Sequence, residues 1–409
     1  MKKIFFLFII LTSVNASANF WTQKANAPTL QLRRPAAFSI GNKGYVLGGT
    51  GPVLFSKEFW EYDPTLDVWT QKADECGDDR ANPTGFAVQG KGYAVLGIDT
   101  AYQFKSDWWA YDPVTNIWTQ KADFSGPLRV APAVFSINTK GYICNGELAT
   151  PPIVGDLWEY NTITNIWTAK TACPILARYS GVGFSINGLG YFVGGVDPSA
   201  NIHSDLWEYN PATDSWTAKA NMPIPGCEDA GAFVIGNYGY IFGGENNATG
   251  RWYNTLWQYN QTSNNWVVKD TCPVTGIAIY GRDEMATFAI GNYGYMGWGG
   301  LDGSPALNDF WQYTPDSSEM MSVNEIINYH IATAVYPNPF VDFATINFGK
   351  KLKNADIEIF DTSGKEIKNI KNINETNFRL NGADFRKGIY FYAIVENGNI
   401  IAKNKFEVQ

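Results

Sequence analysis

Four arginines stand at one place in a repeating frame. Arg80, Arg129, Arg178 and Arg282 each lie six residues ahead of a Phe (Phe86, Phe135, Phe184, Phe288), Arg33 and Arg34 stand near the first such Phe, and Cys227 breaks the series in the fifth. A guanidinium presents five N–H donors in a planar fork that matches a carboxylate or sulfate two bonds at a time. Gathered around one opening, such groups would favour an anionic ligand, for instance a uronic or sialic acid. Spread through a framework, they would pair with carboxylates and loop carbonyls, and the spacing leaves both readings open. Loops at matching places add Asp78, Asp79, Glu147, His203, Glu228, Asp229, Glu245, Arg251, Asp283 and Glu284, with Tyr102, Phe104, Trp108, Trp252 and Tyr253 as rings that could stack on a sugar or serve the core. The ligand-binding set we expect is Arg33, Arg34, Arg80, Arg129, Arg178, Arg282, Glu147, Glu245, Trp252 and Tyr253, with no catalytic residue assigned.

Several chemistries find no support. Only His203 and His330 are present, no Cys-x-x-Cys spacing occurs, and neither a zinc pattern, a phosphate-cradling glycine loop nor a nucleophile elbow appears. No metal and no cofactor are expected. The five cysteines leave a bridge such as Cys173–Cys227 or Cys227–Cys272 open, since pairing cannot be read from spacing.

The residues that would carry the chemistry are set in a repeat. Trp69, Trp118, Trp167, Trp216 and Trp266 recur at spacings of 49, 49, 49 and 50, each preceded nine residues earlier by another Trp (Trp60, Trp109, Trp158, Trp207, Trp257). Aromatic alternation around a Pro/Asn/Asp/Thr cluster, as in WEYDPTLDVW (60–69), reads as two strands and a turn. Upstream of each pair lies a second hairpin, such as AAFSIGNKGYVLGG (36–49), in which Phe and Tyr stay seven residues apart in six copies from Phe38/Tyr45 to Phe288/Tyr295. Each unit therefore holds four strands, and with 40 Gly and 62 aromatics the chain reads as nearly all β.

These units resemble kelch repeats, the blades of a β-propeller, over roughly residues 20–315; the period of about 50 agrees. The second unit ends LGI and the third CNGE where the family has Gly-Gly, and the sixth lacks a fourth strand after Trp311-Gln-Tyr313. A propeller must close, because an open edge invites pairing with other chains. FWTQKA (20–25) has the sequence of a fourth strand, so we expect six blades, closed by pairing Phe20–Ala25 with the strand around Trp311–Tyr313. In such a propeller the loops entering the first strands gather at one mouth of the central channel, which would bring the arginines together. The resemblance also implies an alternative to simple binding, since six-bladed kelch propellers include sialic acid mutarotases; Asp283 and Glu284 would then move protons. A copper radical oxidase needs two His ligands with Tyr residues, and of His203 and His330 the second stands in the linker between the domains.

Residues 1–18 read as a signal peptide, with Lys2 and Lys3, the apolar run Ile4–Leu11 and the small residues Ala16-Ser17-Ala18. No other stretch approaches the length of a membrane-spanning helix. From 335 to 409, YPNPF, IFDTSGKEI, GIYFYAI and the final KF resemble the type A sorting domain of the type IX secretion system of Bacteroidetes, and the alternation reads as a small Ig-like β-sandwich. The expected organisation is signal peptide 1–18, propeller 19–318, linker 319–334 and sorting domain 335–409. The resemblance implies passage through the type IX machinery to the cell surface or medium. Residues 19–334 carry 18 Lys+Arg against 30 Asp+Glu, net −12, which argues against a nucleic-acid partner. The expected function is recognition of an extracellular glycan or protein ligand through an Arg-rimmed channel face.

Overall fold

The computed structural model describes residues 20–28, 31–51, 55–74, 77–148, 153–246, 249–271, 281–301, 306–316, 333–361, 366–396 and 399–409. The signal-peptide segment, Cys76, Cys272, His330 and nearly all of the 319–334 connection lie outside these residues. The chain divides into two units, 1–324 and 325–409.

In the first unit, six four-stranded antiparallel sheets follow one another. Blade 1 runs Ala36–Ile40, Lys43–Thr50, Phe55–Asp63 and Val68–Gln71; blade 4, equally regular, runs Val182–Ile186, Leu189–Val193, Leu206–Asn210 and Ser215–Lys219. The first strands of successive blades contact one another around a closed cycle, Ala286–Ile290 of blade 6 meeting Ala36–Ile40 of blade 1. Along each first strand the pleat separates two roles, as in Phe38 and Ile40, which are buried, and Ala37 and Ser39, which are half-buried against the channel.

Two repeated contacts bind the blades, and both explain residues that recur in the sequence. The Phe of each first strand stands opposite the Tyr of the second, as in Phe38 and Tyr45 or Phe184 and Tyr191, with stacked rings. The same Phe reaches over a glycine in the next blade: Phe38 over Gly92, Phe86 over Gly141, Phe135 over Gly190, and finally Phe288 over Gly44, where a methyl group would overlap the ring. At the rim, the indoles of Trp69, Trp118, Trp167, Trp216 and Trp266 each donate to a carbonyl at the end of the previous blade, as in Trp118 Nε1 to the Ala73 carbonyl (3.0 Å) and Trp167 Nε1 to that of Ala122 (3.1 Å). The Lys of each Trp-x-x-Lys is half-buried, and several are paired, Lys219 with Glu208 at 3.0 Å.

Ring closure follows the sequence expectation. Phe20–Lys24 pairs antiparallel with Phe310–Thr314, in register from Phe20 opposite Thr314 to Lys24 opposite Phe310, and completes blade 6. Trp21 is buried against Tyr313 and Phe242, with ring centroids 5.2 and 5.4 Å away. The next residue, Ala25, is clamped to blade 1: its N–H donates to Asp67 Oδ1 at 3.0 Å, and its carbonyl accepts from Trp69 Nε1 at 2.9 Å. One segment thus closes a sheet and a blade-to-blade junction.

The second unit is a β-sandwich. A three-stranded sheet (Ala334–Tyr336, Phe343–Asn347, Asn377–Asn381) and a four-stranded sheet (Glu366–Ile373, Ala355–Phe360, Gly388–Glu396, Asn399–Val408) share one core that includes Ile346, Ile357, Ile359, Tyr392, Ile394 and Phe406. Among the described residues no helix is long and apolar enough to cross a membrane.

Candidate functional site

The four repeated arginines are drawn into the framework. Arg80, Arg129, Arg178 and Arg282 are at most 3% exposed, and each is paired with an aspartate 27 residues on: Asp107, Asp156, Asp205 and Asp309. Arg282 Nη2 meets both Asp309 oxygens, at 2.7 and 2.8 Å, and Arg129 Nη1 also donates to the Asn145 carbonyl at 2.8 Å. The same aspartates accept from the indole two residues later, as Asp205 does from Trp207 at 2.8 Å. Where the arginine is missing the aspartate is missing too: blade 1 has buried Leu32 with Glu58, and blade 5 has buried Cys227 with Thr255. These four guanidiniums hold entry loop to third strand within a blade, and the expectation that they rim the mouth is corrected: each is buried against its aspartate inside a blade and is not among the residues that line the channel.

A different ring lines the mouth. Just ahead of each first strand one residue takes a left-handed backbone: Arg34 (φ 50°), Asn82 (50°), Ala131 (48°), Ser180 (54°), Asp229 (51°) and Glu284 (54°). Backbone bonds link these positions from blade to blade, Arg34 N to the Glu284 carbonyl, Glu284 N to that of Asp229, Asp229 N to that of Ser180 and Ser180 N to that of Ala131, all near 3 Å. All six positions line the central channel, a cavity of about 400 Å³ whose walls below are small residues such as Ala37, Gly85, Val134 and Gly183. Holding an L-residue left-handed costs on the order of 1 kcal/mol, and strain of this kind concentrates at functional sites.

The ring is uneven. Blades 1, 5 and 6 build one ion-pair network: Arg34 meets Asp229 (2.7 Å) and Glu284 (2.6 Å), and Arg33 meets Glu284 (2.8 Å) and, more loosely, Asp283 (3.5 Å). Blades 2 and 3 contribute only Asn82 and Ala131. Burial opposes the charge on Arg34, but Asp229 and Glu284 outweigh it and hold the guanidinium above its usual range. Burial, then the neighbouring Glu284 charge, pushes Asp283 up to about 6 against the pull of Arg33. Asp229 is also raised, by burial and by Glu284, with Arg34 opposing. Burial, followed by the charges of Glu228, Glu147 and Asp229, raises the Tyr179 phenol.

The remaining expected site residues scatter. Glu147 is exposed and pairs by backbone with Val130; Glu245 is buried and ladders with half-buried Trp252; Tyr253 is buried, and its carbonyl accepts from Arg282 N at 3.1 Å. Trp108 lies wholly in the core against Phe86 and Trp167. His203 is bonded to Asp197 at 3.0 Å. Cys173 and Cys227 are free and buried, so the Cys173–Cys227 bridge does not form. Arg34 lines the channel with Ser180, Asp229 and Glu284, and Arg33 joins this group through Glu284, a cluster that spacing to the Phe did not single out. The signal for it was present: positions 34, 82, 131, 180, 229 and 284 are equivalent in the repeat yet all different.

Asp283 gives a direct test of this electrostatic picture. A carboxyl that titrates near 6 when folded and near about 3.9 when unfolded is released first from the unfolded chain. Its stabilising contribution is therefore full below about pH 4 and is lost as pH rises through 6, about 3 kcal/mol in all. Asp283→Asn is expected to raise the melting temperature at pH 7.5 and to flatten its decline between pH 4 and 7 in scanning calorimetry. A variant with the wild-type pH profile would remove Asp283 from the strained cluster.

Comparison with known proteins agrees with this architecture. The KLHDC2/KLHL20/DRC7 Kelch-repeats domain model matches residues 133–334, and the secretion system C-terminal sorting domain model matches residues 334–409. No curated protein matches the chain. Matching solved structures number 496 chains, so likeness to one of them speaks for the fold and not for a ligand. The structure of YjhT aligns with a TM-score of 0.60 at 14% identity, over 70% of this chain and 95% of that one. A sorting domain of this kind marks proteins exported by the type IX system to the cell surface or extracellular space. The chain is a kelch-repeat β-propeller protein that carries a secretion system sorting domain.

Proposed function

We propose that this exported protein, with its propeller over residues 19–318 and its sorting domain over 335–409, binds an extracellular glycan at the channel mouth formed by Arg33, Arg34, Asp229, Asp283 and Glu284. The single observation that supports this most is the divergence of one ring. Framework positions repeat from blade to blade, as the Phe, Tyr, Gly and Trp do, whereas the six left-handed mouth positions hold Arg, Asn, Ala, Ser, Asp and Glu. A purely structural left-handed position favours Gly, Asn or Asp, so Arg34, Ser180 and Glu284 there point to use of the side chains themselves. Guanidinium and carboxylate groups around a cavity of about 400 Å³ can bond sugar hydroxyls as donors and acceptors, and the size falls in the range of small-molecule sites.

The ligand class is revised from the anionic one expected first. With four arginines engaged inside the blades and the other two matched by three carboxylates, the mouth favours a neutral, hydroxyl-rich ligand over a uronic or sialic acid. Arg34→Ala combined with Glu284→Ala is expected to weaken glycan binding at least tenfold on an array and in calorimetry. Equal signals for wild type and variant would overturn the reading, and signal only from protein ligands would move the function to protein recognition. A second reading, a mutarotase-like enzyme, draws on Asp283, whose proton is exchangeable near pH 6. Polarimetry of freshly dissolved reducing sugars decides it: a rate above the spontaneous one that is lost in Asp283→Asn would make the protein an enzyme.

A further inference from the structure

We propose that a loop of blade 2 carries a second, sugar-stacking subsite built on Tyr102, and that the ligand is therefore an oligosaccharide extending beyond the mouth; this rests on the glycan reading above. Tyr102 is 72% exposed and takes a left-handed backbone with φ of 58°. A bulky residue in that region is an outlier, and the fold does not ask for it here. The loop is shaped by Asp99, whose Oδ1 accepts from the N–H groups of Ala101 and Gln103 at 2.9 Å, while Tyr102 N donates to the Asp99 carbonyl at 2.8 Å.

Blade 4 makes the same loop without the ring. Asp197 Oδ1 accepts from Ser199 N (2.8 Å) and Asn201 N (3.0 Å), Ala200 N donates to the Asp197 carbonyl at 2.9 Å, and Ala200 holds φ of 61°. Alanine satisfies the turn, so the exposed phenol ring of blade 2 is an addition to it. That ring is also held: Phe55 of blade 1 meets it edge-on, with centroids 5.7 Å apart and planes at 79°. An exposed aromatic fixed by its backbone and by a neighbour loses little entropy when a ligand packs on it.

Polar groups accompany the ring. The same loop walls a cavity of about 320 Å³ lined by Asp78, Arg80, Phe104, Lys105 and Asp107, in which Lys105 Nζ bonds Asp78 (3.2 Å) and Asp99 (2.6 Å). An aromatic ring on the same loop as the matched Lys105–Asp99 pair suits a neutral sugar, whose ring offers C–H faces and whose edges offer hydroxyls. The loop is tied to the mouth by backbone, Ala81 bridging Ile98 and Ile98 bridging Phe104, one residue before Asn82. On this side the mouth is lined by Asn82 and Ala131, whose short side chains leave room for a chain to pass toward blade 2.

The experiment is calorimetric titration of the full propeller with β-1,4-linked glucose, xylose and mannose oligomers of one to six units. Tyr102→Ala is expected to weaken binding of the longer oligomers about five- to tenfold while leaving the shortest bound species unchanged, and Tyr102→Trp is expected to restore it. Arg34→Ala with Glu284→Ala should weaken every length. If Tyr102→Ala binds all lengths as the wild type does while the mouth variant loses them, the outlying subsite is refuted and the mouth reading stands. If no oligomer binds, or the mouth variant binds normally, the mouth reading falls and the subsite with it.

Discussion

Removal of Asn19–Ala25 is expected to unfold the propeller, not merely trim it. The segment supplies the whole outer strand of blade 6, in register with Phe310–Thr314, and places Trp21 on Tyr313 and Phe242. It also carries Ala25, whose two hydrogen bonds to Asp67 and Trp69 fasten blade 6 to blade 1. Truncating a buried Trp alone typically costs about 3–5 kcal/mol, against a total stability of roughly 5–15 kcal/mol for a typical fold. Losing the ladder and the junction as well leaves little margin, and it exposes the edge of 310–314 to pairing with other chains. Circular dichroism and calorimetry should show loss of the cooperative transition or a fall of more than about 15 °C, with aggregation. Removal of 335–409, a unit with its own core, is expected to leave the propeller's melting in place and to stop export. A chain lacking Asn19–Ala25 that melted within a few degrees of the parent would show that the ring does not depend on this closure.

Arg178→Ala, like the loss of any of the four framework arginines, is expected to act on stability instead of binding. It would strip a buried guanidinium from Asp205 and from the Gly194 carbonyl, leaving a carboxylate without its cation. Breaking such a pair from one side costs about 3–5 kcal/mol, chiefly because the remaining charge stays desolvated. The chain itself indicates how the pair can be dispensed with: blades 1 and 5 put Leu32 and Cys227 at the arginine position and Glu58 and Thr255 at the aspartate position. Arg178→Leu with Asp205→Thr should therefore recover more than half of the loss in urea unfolding, since both charges leave together. Arg34→Ala, at the mouth, should also lower stability, because buried Asp229 and Glu284 would then face each other without that cation, and it alone should weaken ligand binding as well. Loss of ligand binding in the refolded Arg178→Leu/Asp205→Thr protein, equal to that in Arg34→Ala, would erase the distinction drawn between framework and mouth.

Much of the fold is legible because repetition multiplies weak local signals. A single Phe and Tyr seven residues apart mean little; six such pairs, five of them followed by a Trp pair, define four strands per unit and six units. The closing strand could be found by subtraction, as WTQKA lacked a unit before it and unit six lacked a strand after it. The framework role of the arginines was legible too, in the constant step of 27 residues from Arg80, Arg129, Arg178 and Arg282 to an aspartate, and in the joint absence of both partners from blades 1 and 5. Counting arginines toward one opening missed it, because a position in a repeat does not say whether a side chain points between strands or into the channel.

The sequence by itself determined the blade count, the strand content, the closure by Phe20–Lys24 and the presence of a second β unit with an export address. These follow from local periodicity and from the need to pair every edge, which each unit states for itself. Only the tertiary structure decided that Arg34, Asp229 and Glu284, far apart in the chain, form one network, that Arg178 is buried while Arg34 faces the channel, and that Asp283 is pushed up to about 6. Each of these depends on which blade lies next to which and on how much water remains between them. Charge pairing and desolvation act through space, and blades distant in sequence become neighbours only when the ring has closed.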